Sequence, residues 1–292
     1  MKMKILTAIV LVVGLCTTSF GQITIDPSPT VVDLVTNTLI GPGLVTSNIT
    51  YTGANGQIGF FDANGSNIGL DSGVVMSSGN VINIAPPANP NTDLSGPGDA
   101  DVLATAQSVT SNPSAGSITS THDAAVLEFD FVPNGDVVVF RFVFASEEYT
   151  TYINTQFNDA FGFYISGANP AGGNYNVDNL ALVPGTTEPI TISTIYPNLP
   201  GATGLNQQYY GPAPIGHSFN GFTIPIEIRF DVICDSTYHF KFAVADCQDG
   251  ILDTGVFLEG GSFQAVPVDL SLETNIDASL FGDSVIFEGC GV

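Results

Sequence analysis

Between residues 125 and 145 large apolar side chains recur at every second position. Leu127, Phe129 and Phe131 alternate with Glu128 and Asp130, the period of a strand with one buried and one polar face. Val138, Phe140 and Phe142 repeat the pattern after Asn134-Gly135, a dipeptide suited to a two-residue turn because both positions tolerate positive φ. The expected unit is a hairpin in which Phe129 faces Phe140, Leu127 faces Phe142 and Phe131 faces Val138. In that register every large apolar residue falls on one face, and a one-residue slip would send them all to solvent.

A second alternating pair runs from Ile226 to Asp246. Ile226, Ile228, Phe230 and Val232 share one face; Tyr238, Phe240, Phe242 and Val244 share another. A two-residue loop at Asp235-Ser236 would set Val232 against His239 and mismatch the faces. A three-residue loop, Asp235 to Thr237, sets Phe230 opposite Phe242 and Asp231 opposite Lys241, the better apolar and charge pairing. Shorter strands are expected at Val45 to Thr52, Gly73 to Ser77, Ala160 to Ser166, Pro189 to Ile195 and Gly255 to Phe263. The one short helix expected is Ala100 to Gln107, capped by Asp99.

Antiparallel strands, long loops and no helical layer predict an all-β fold, a two-sheet antiparallel sandwich of jelly-roll-like form. After Val266-Pro267 a fresh alternation starts at Val268 to Thr274, and Asp283 to Val292 has the pattern of another strand. The expected organisation is a module over residues 22–265. The stretch 266–292 then reads as a linker and the first strands of a truncated Ig-like β domain.

Composition agrees with a folded β protein. Charged residues are 11% of the chain while Gly totals 32 and Phe 20; disorder would call for more charge and fewer aromatics. The first 21 residues read as a secretory signal peptide. Lys2 and Lys4 open it, Ile5 to Leu15 is an apolar core, and Ser19-Phe20-Gly21 sets up cleavage before Gln22. That core is well short of the roughly 20 residues of a membrane span. Leu15 stands before Cys16 where lipoprotein processing wants a small residue. No later stretch is long and apolar enough to be a transmembrane segment, so a secreted, extracellular or outer-surface location is expected.

Five basic residues face 28 acidic ones, for a formal charge of −23; losing Lys2 and Lys4 with the leader leaves the chain more negative still. Phosphate backbones and anionic headgroups repel such a surface, which argues against nucleic acid and membrane lipid as partners. Acidity keeps an extracellular protein soluble, and carboxylates are also the hard oxygen ligands that Ca²⁺ takes six to eight at a time. Two clusters invite the second explanation. One is Glu147-Glu148 followed by Asn158-Asp159; the other is Asp246, Asp249 and Asp253, in the loop closing the second hairpin. A weaker third is Asp99 with Asp101. Ordinary turn chemistry accounts for Asp and Asn in loops equally well. The spacing is no EF-hand, for Asp62-Ala-Asn64-Gly-Ser66 has Asn67 where Gly is needed.

Catalysis has little to stand on. Adjacent Glu147 and Glu148 point to opposite faces of an extended backbone and cannot flank one bond together. His122, His217 and His239 are isolated; His239 is expected in solvent beside Asp231, and His122 in a loop next to Asp123. The G-x-S-x-G, H-E-x-x-H and Gly-Lys-Ser phosphate-loop signatures are all missing. Tyr209, Tyr210 and Phe219 could stack on a sugar, though tethering the long loop from Pro197 to Phe222 is the plainer role. Export favours disulfides, and Cys234 with Cys247 is the tempting pair. The hairpin would hold them roughly 30 Å apart at about 3.4 Å per residue, against a limit of about 7 Å between Cα atoms. Cys290 is expected to pair beyond the end of the chain.

Several strings occur in an order that resembles one family: Asn67-Ile-Gly-Leu-Asp-Ser-Gly-Val-Val-Met-Ser-Ser-Gly79, Asp123-Ala-Ala-Val-Leu-Glu-Phe-Asp-Phe-Val-Pro-Asn-Gly-Asp136, Phe144-Ala-Ser-Glu-Glu-Tyr149 and Phe157-Asn-Asp-Ala-Phe-Gly-Phe163. Ala181-Leu-Val-Pro-Gly185, Asn220-Gly-Phe222, Thr237-Tyr-His-Phe-Lys-Phe-Ala-Val-Ala-Asp246 and Asp253-Thr-Gly-Val-Phe-Leu-Glu-Gly-Gly-Ser-Phe263 continue it. Over about residues 30 to 264 the chain is similar to the choice-of-anchor L domain of secreted and surface proteins of Gram-negative bacteria. The resemblance implies an extracellular module joined to varied C-terminal sorting signals, often with Ig-like repeats, type IX secretion and gliding-motility association; it implies no catalytic role. Cys247 departs from the pattern, which usually has a small residue there.

The expected function is therefore a non-enzymatic extracellular or cell-surface module for adhesion or ligand binding, with loops stabilised by Ca²⁺ through Glu147, Glu148, Asn158, Asp159, Asp246, Asp249 and Asp253. Surface glycans or other extracellular proteins would be its partners. The alternatives are a lectin or carbohydrate-active enzyme on a jelly-roll scaffold, and a purely structural spacer.

Overall fold

The computed structural model describes residues 21–201 and 203–266. Residues 1–20, the expected Ig-like start after Val266, and Cys290 with the pairing expected of it, lie outside the described residues.

Among the described residues the strands in chain order are β1 (Thr24–Asp26), β2 (Leu44–Thr52), β3 (Ile58–Asp62), β4 (Ser72–Ser77), β5 (Thr121–Pro133), β6 (Val137–Ser146), β7 (Ala160–Ala168), β8 (Asn174–Asn179), β9 (Gly221–Phe222), β10 (Ile226–Asp231), β11 (Tyr238–Cys247), β12 (Thr254–Glu259) and β13 (Gln264–Val266). They form two antiparallel sheets packed as a sandwich. One runs β1-β3-β4-β12-β6-β10, with β9 and β13 also on β6; the other runs β2-β5-β11-β7-β8. The expected all-β sandwich is what the chain builds.

Both expected hairpins are corrected. β5 pairs with β11 and β2, while β6 pairs with β12 and β10 in the opposite sheet. Phe129 lies beside Phe240, Leu127 beside Phe242 and Phe131 beside Tyr238. Phe140 lies beside Ile228, and Phe230 beside Val138. Lys241 stands across from Glu128 rather than Asp231. Each supposed hairpin is an arch that carries the chain from one sheet to the other. Period-2 alternation survives this change because the inner faces of both sheets look into one core. Phe129, Phe140, Phe240 and Phe242 are all buried there, and Phe140 meets Phe163 edge-on at 4.8 Å from across the sandwich.

Pro133 explains the first arch. A two-residue hairpin closes with an N–H from the residue before the turn, and proline has none. Neither Asn134 nor Gly135 takes positive φ, so the expected turn does not form. Asn134 N–H donates to Gly43 O at 2.9 Å and Pro133 O accepts from Asp235 N–H at 2.9 Å. These bonds tie the two arches and the start of β2 together at one end of the sandwich.

The short strands at β2, β4 and β7 fall where the alternation places them. Pro189 to Ile195 is instead a turn: Thr191 N–H donates to Thr194 Oγ1 at 2.8 Å and Thr194 Oγ1 donates to Pro189 O at 2.8 Å, local bonds that replace a ladder. The strand from Gly255 stops at Glu259, and Gly261 turns the chain with φ +66° before β13. The helix spans Ala100–Gln107, and Asp99 Oδ1 accepts from Asp101 N–H and Val102 N–H at 3.0 and 3.1 Å.

Candidate functional site

At the other end of the sandwich five strand ends gather their carboxylates. Glu147 and Glu148 follow β6, Asp159 precedes β7, Asp246 lies near the end of β11, Asp253 precedes β12, and Asp123 lies near the start of β5. The two clusters expected separately are one centre. All six of these carboxylates are buried, as is Asn158, and Asp249 is half-buried. Antiparallel order brings this about, since strands running up deliver their last residues where strands running down deliver their first.

Local devices aim each side chain inward. The β5–β11 register shifts between Val244 and Asp246, and a bulge of this kind re-aims the residue that follows. Glu147 N–H donates to Asp253 O at 3.2 Å, and Glu148 N–H to Ser146 Oγ at 2.9 Å. At Gly79 a Cβ would collide with the Asp253 carboxylate, so the backbone approaches that group as only glycine allows.

Most of the carboxylate oxygens have partners. Asp159 Oδ1 accepts from Cys247 N–H at 2.9 Å and its Oδ2 from the Thr254 hydroxyl at 2.6 Å. Glu148 Oε2 accepts from Asp159 N–H at 3.2 Å, Asn220 Nδ2 donates to Glu147 Oε2, and Thr92 N–H donates to Asp253 Oδ1 at 2.9 Å. Asp249 Oδ1 accepts from Ile251 N–H at 3.2 Å. Asn158 Oδ1 accepts from Ser193 N–H at 3.2 Å. Asp246 is different: neither of its oxygens has a hydrogen-bond partner, nor does Asp253 Oδ2. The Ser78 hydroxyl is near enough to favour charge on Asp246, yet its own bonds run to Thr254.

Burial is the first cause of every protonation shift here. It pushes Asp159 and Glu147 up to about 7 and Asp253 to about 6. Glu148 and Asp246 are raised well above the carboxylate range, by burial and then by the charge of Asp159. Desolvation and like charge act in the same direction.

Among the described residues no lysine or arginine pairs with the centre. Lys241 is held by Asp99 and Asp101 at 2.6 and 2.7 Å, and Arg141 by Glu259 at 2.9 Å. The third expected acidic cluster is thus a lysine clamp. As placed, no three His, Cys, Asp or Glu side chains among the described residues form a group able to hold a metal ion.

Asp123 was missed. It takes φ +52° and accepts from Leu94 N–H at 2.8 Å and from Gly96 N–H, so with Asp253 it holds the strap around Thr92 to Gly96 over the centre. Its signal was the glycine supply: a Cβ at Gly250 or Gly96 would crowd its carboxylate. Phe219 is buried against Phe257, and Tyr210 packs on Tyr149 at 5.2 Å, so these aromatics tether the long loop. His239 is indeed exposed, but between Glu128 and Asp130. His122 lies within β5, bonded to the Ser120 hydroxyl. Cys247 is a free, buried thiol, so it forms no bond to Cys234.

The carboxylate centre of this two-sheet β-sandwich is buried rather than set in an open cleft. The family model of the Choice-of-anchor L domain matches residues 24–264, and the chain belongs to that family. Membership suggests an extracellular, surface-associated module. No curated protein and no solved structure matches it. Among the described residues no helix is long and apolar enough to cross a membrane.

Proposed function

We propose that this chain is a non-enzymatic adhesion or ligand-binding module displayed outside the cell, its loops at the acidic end stiffened by Ca²⁺. The observation that carries this is the sealing of the carboxylates. An acid–base pair has to reach its substrate, whereas Asp159, Asp246 and Asp253 are at most 1% exposed. Their neighbourhood supports a framework role, with the outer loop surface left for a partner such as a glycan or an extracellular protein. The strongly acidic composition favours partners that are neutral or basic.

The test is to display the mature chain to glycan and extracellular-protein arrays and then assay each hit for product. Retention of a partner without turnover is the expected result. Turnover would move the chain to the carbohydrate-active alternative, and silence across both arrays would favour a spacer.

A further inference from the structure

We infer that one Ca²⁺ ion binds between Asp246 and Asp253, and that the other carboxylates of the centre surround it without being its primary ligands. This deepens the reading of Ca²⁺-stiffened loops and selects the ligands by a different criterion from proximity in sequence. The criterion is which oxygens lack a partner. Asp159, Glu147, Glu148 and Asp249 each accept a hydrogen bond from a backbone or side-chain donor. Asp246 Oδ1, Asp246 Oδ2 and Asp253 Oδ2 accept none, although both residues are buried.

Buried polar atoms in native proteins are almost always satisfied, and an unpaired buried carboxylate is costly. A divalent cation would complete these three oxygens. Among the described residues the lysine and arginines are placed elsewhere: Lys241 and Arg141 are in ion pairs, and Arg229 sits at an exposed position on β10. The two carboxylates carry the charge that one divalent ion neutralises. All-oxygen donors on loops suit Ca²⁺, which accepts carbonyl oxygens and water for the remainder of its shell. Because no three His, Cys, Asp or Glu side chains among the described residues form a group able to hold a metal, the proposed site rests on two carboxylate side chains.

The geometry also says what the ion does. Asp253 Oδ1 holds Thr92 N–H, and Asp253 N–H donates to Pro90 O at 3.0 Å. Asp246 lies near the end of β11, paired with His122 of β5 and one residue past the last pair with β7, Ala245 with Ala160. An ion shared by the two carboxylates would pin the strap at residues 90–96 to the central strand of the smaller sheet.

The test uses the mature full chain, stripped with chelator and titrated with Tb³⁺ under tyrosine excitation, since Tyr149 adjoins Glu148 at the centre. One saturable, Ca²⁺-competed luminescent site is expected, together with a Ca²⁺-dependent rise in Tm. Asp246→Asn and Asp253→Asn should each weaken Tb³⁺ binding at least tenfold, while Asp159→Asn should change it less than threefold. Absence of luminescence and of any Ca²⁺ effect on the wild-type Tm would overturn the site, whether or not the variants fold. Equal weakening by Asp159→Asn would overturn the assignment of ligands. Failure of the array experiment with a positive Tb³⁺ titration would remove the binding function and leave the ion in place.

Discussion

Phe230 and Phe240 stack across the core with ring centroids 6.1 Å apart, although they belong to consecutive strands, β10 and β11, in different sheets. The contact is possible because the chain between them arches over the sandwich end. Phe240 also meets Phe140 edge-on at 5.9 Å and lies over Phe129 at 6.1 Å. One ring therefore joins both arches.

Truncation of this ring should be expensive. Phe240→Ala and Phe140→Ala are each expected to cost about 3–5 kcal/mol, the range for large cavities in a packed core. Their effects should not add, because the two rings touch. Urea denaturation of the two single variants and the double variant measures this, and strict additivity would contradict the cross-core contact.

The lysine clamp makes a graded prediction. Asp99 both holds Lys241 and caps the helix Ala100–Gln107, whereas Asp101 is more exposed. Asp99→Ala should lose about 1–2 kcal/mol for the cap alone, and more with the ion pair. Asp101→Ala should lose under about 1 kcal/mol, as exposed pairs do. Thermal melts of both variants decide it; the reverse order would remove the capping role.

His217 supplies a pH signature. Burial lowers it from 6.5 to about 4, and neither ring nitrogen has a partner. Between those values the unfolded chain binds the proton that the folded chain refuses, so stability rises with pH through this window and falls as pH drops from 6.5 toward 4. At 1.36 kcal/mol per unit the full loss is about 3 kcal/mol. His217→Leu should remove it. The difference between wild-type and variant stability curves at pH 4–7 isolates this group, and parallel curves would count against it.

Cys247 should be inert. Its thiol is fully buried, and burial followed by the charge of Asp159 raises it well above the ordinary thiol value. Iodoacetamide labelling is expected to spare it in the folded chain and to modify it after unfolding, read by peptide mass spectrometry. Labelling without denaturant would mean the β11 end opens.

Much of the fold was legible because alternation reports which side of a strand is buried. Phe129, Phe140, Phe230 and Phe242 were all placed inward correctly. Partnership was not legible, since residues facing one core from two sheets carry the same pattern as residues on one face of a hairpin. Pro133 was the available warning. At the acidic end, the sequence supplied Glu147, Glu148, Asp159, Asp246 and Asp253 but not their union. That union depends on strand directions, which follow from the arches. Asp123 hid in plain sight beside His122, where no period marks a residue turned inward by a left-handed backbone.

The chain leaves the described module through β13, whose Gln264, Ala265 and Val266 pair with Val139, Val138 and Val137 of β6. β6 also carries β12 and β10, so it is an interior strand, while β1 at the opposite terminus sits on the rim. Tension applied beyond Val266 is thus delivered to the middle of the larger sheet. A cell-surface tether attached there would haul on the whole slab at once, and one attached before Thr24 would begin by unzipping its border.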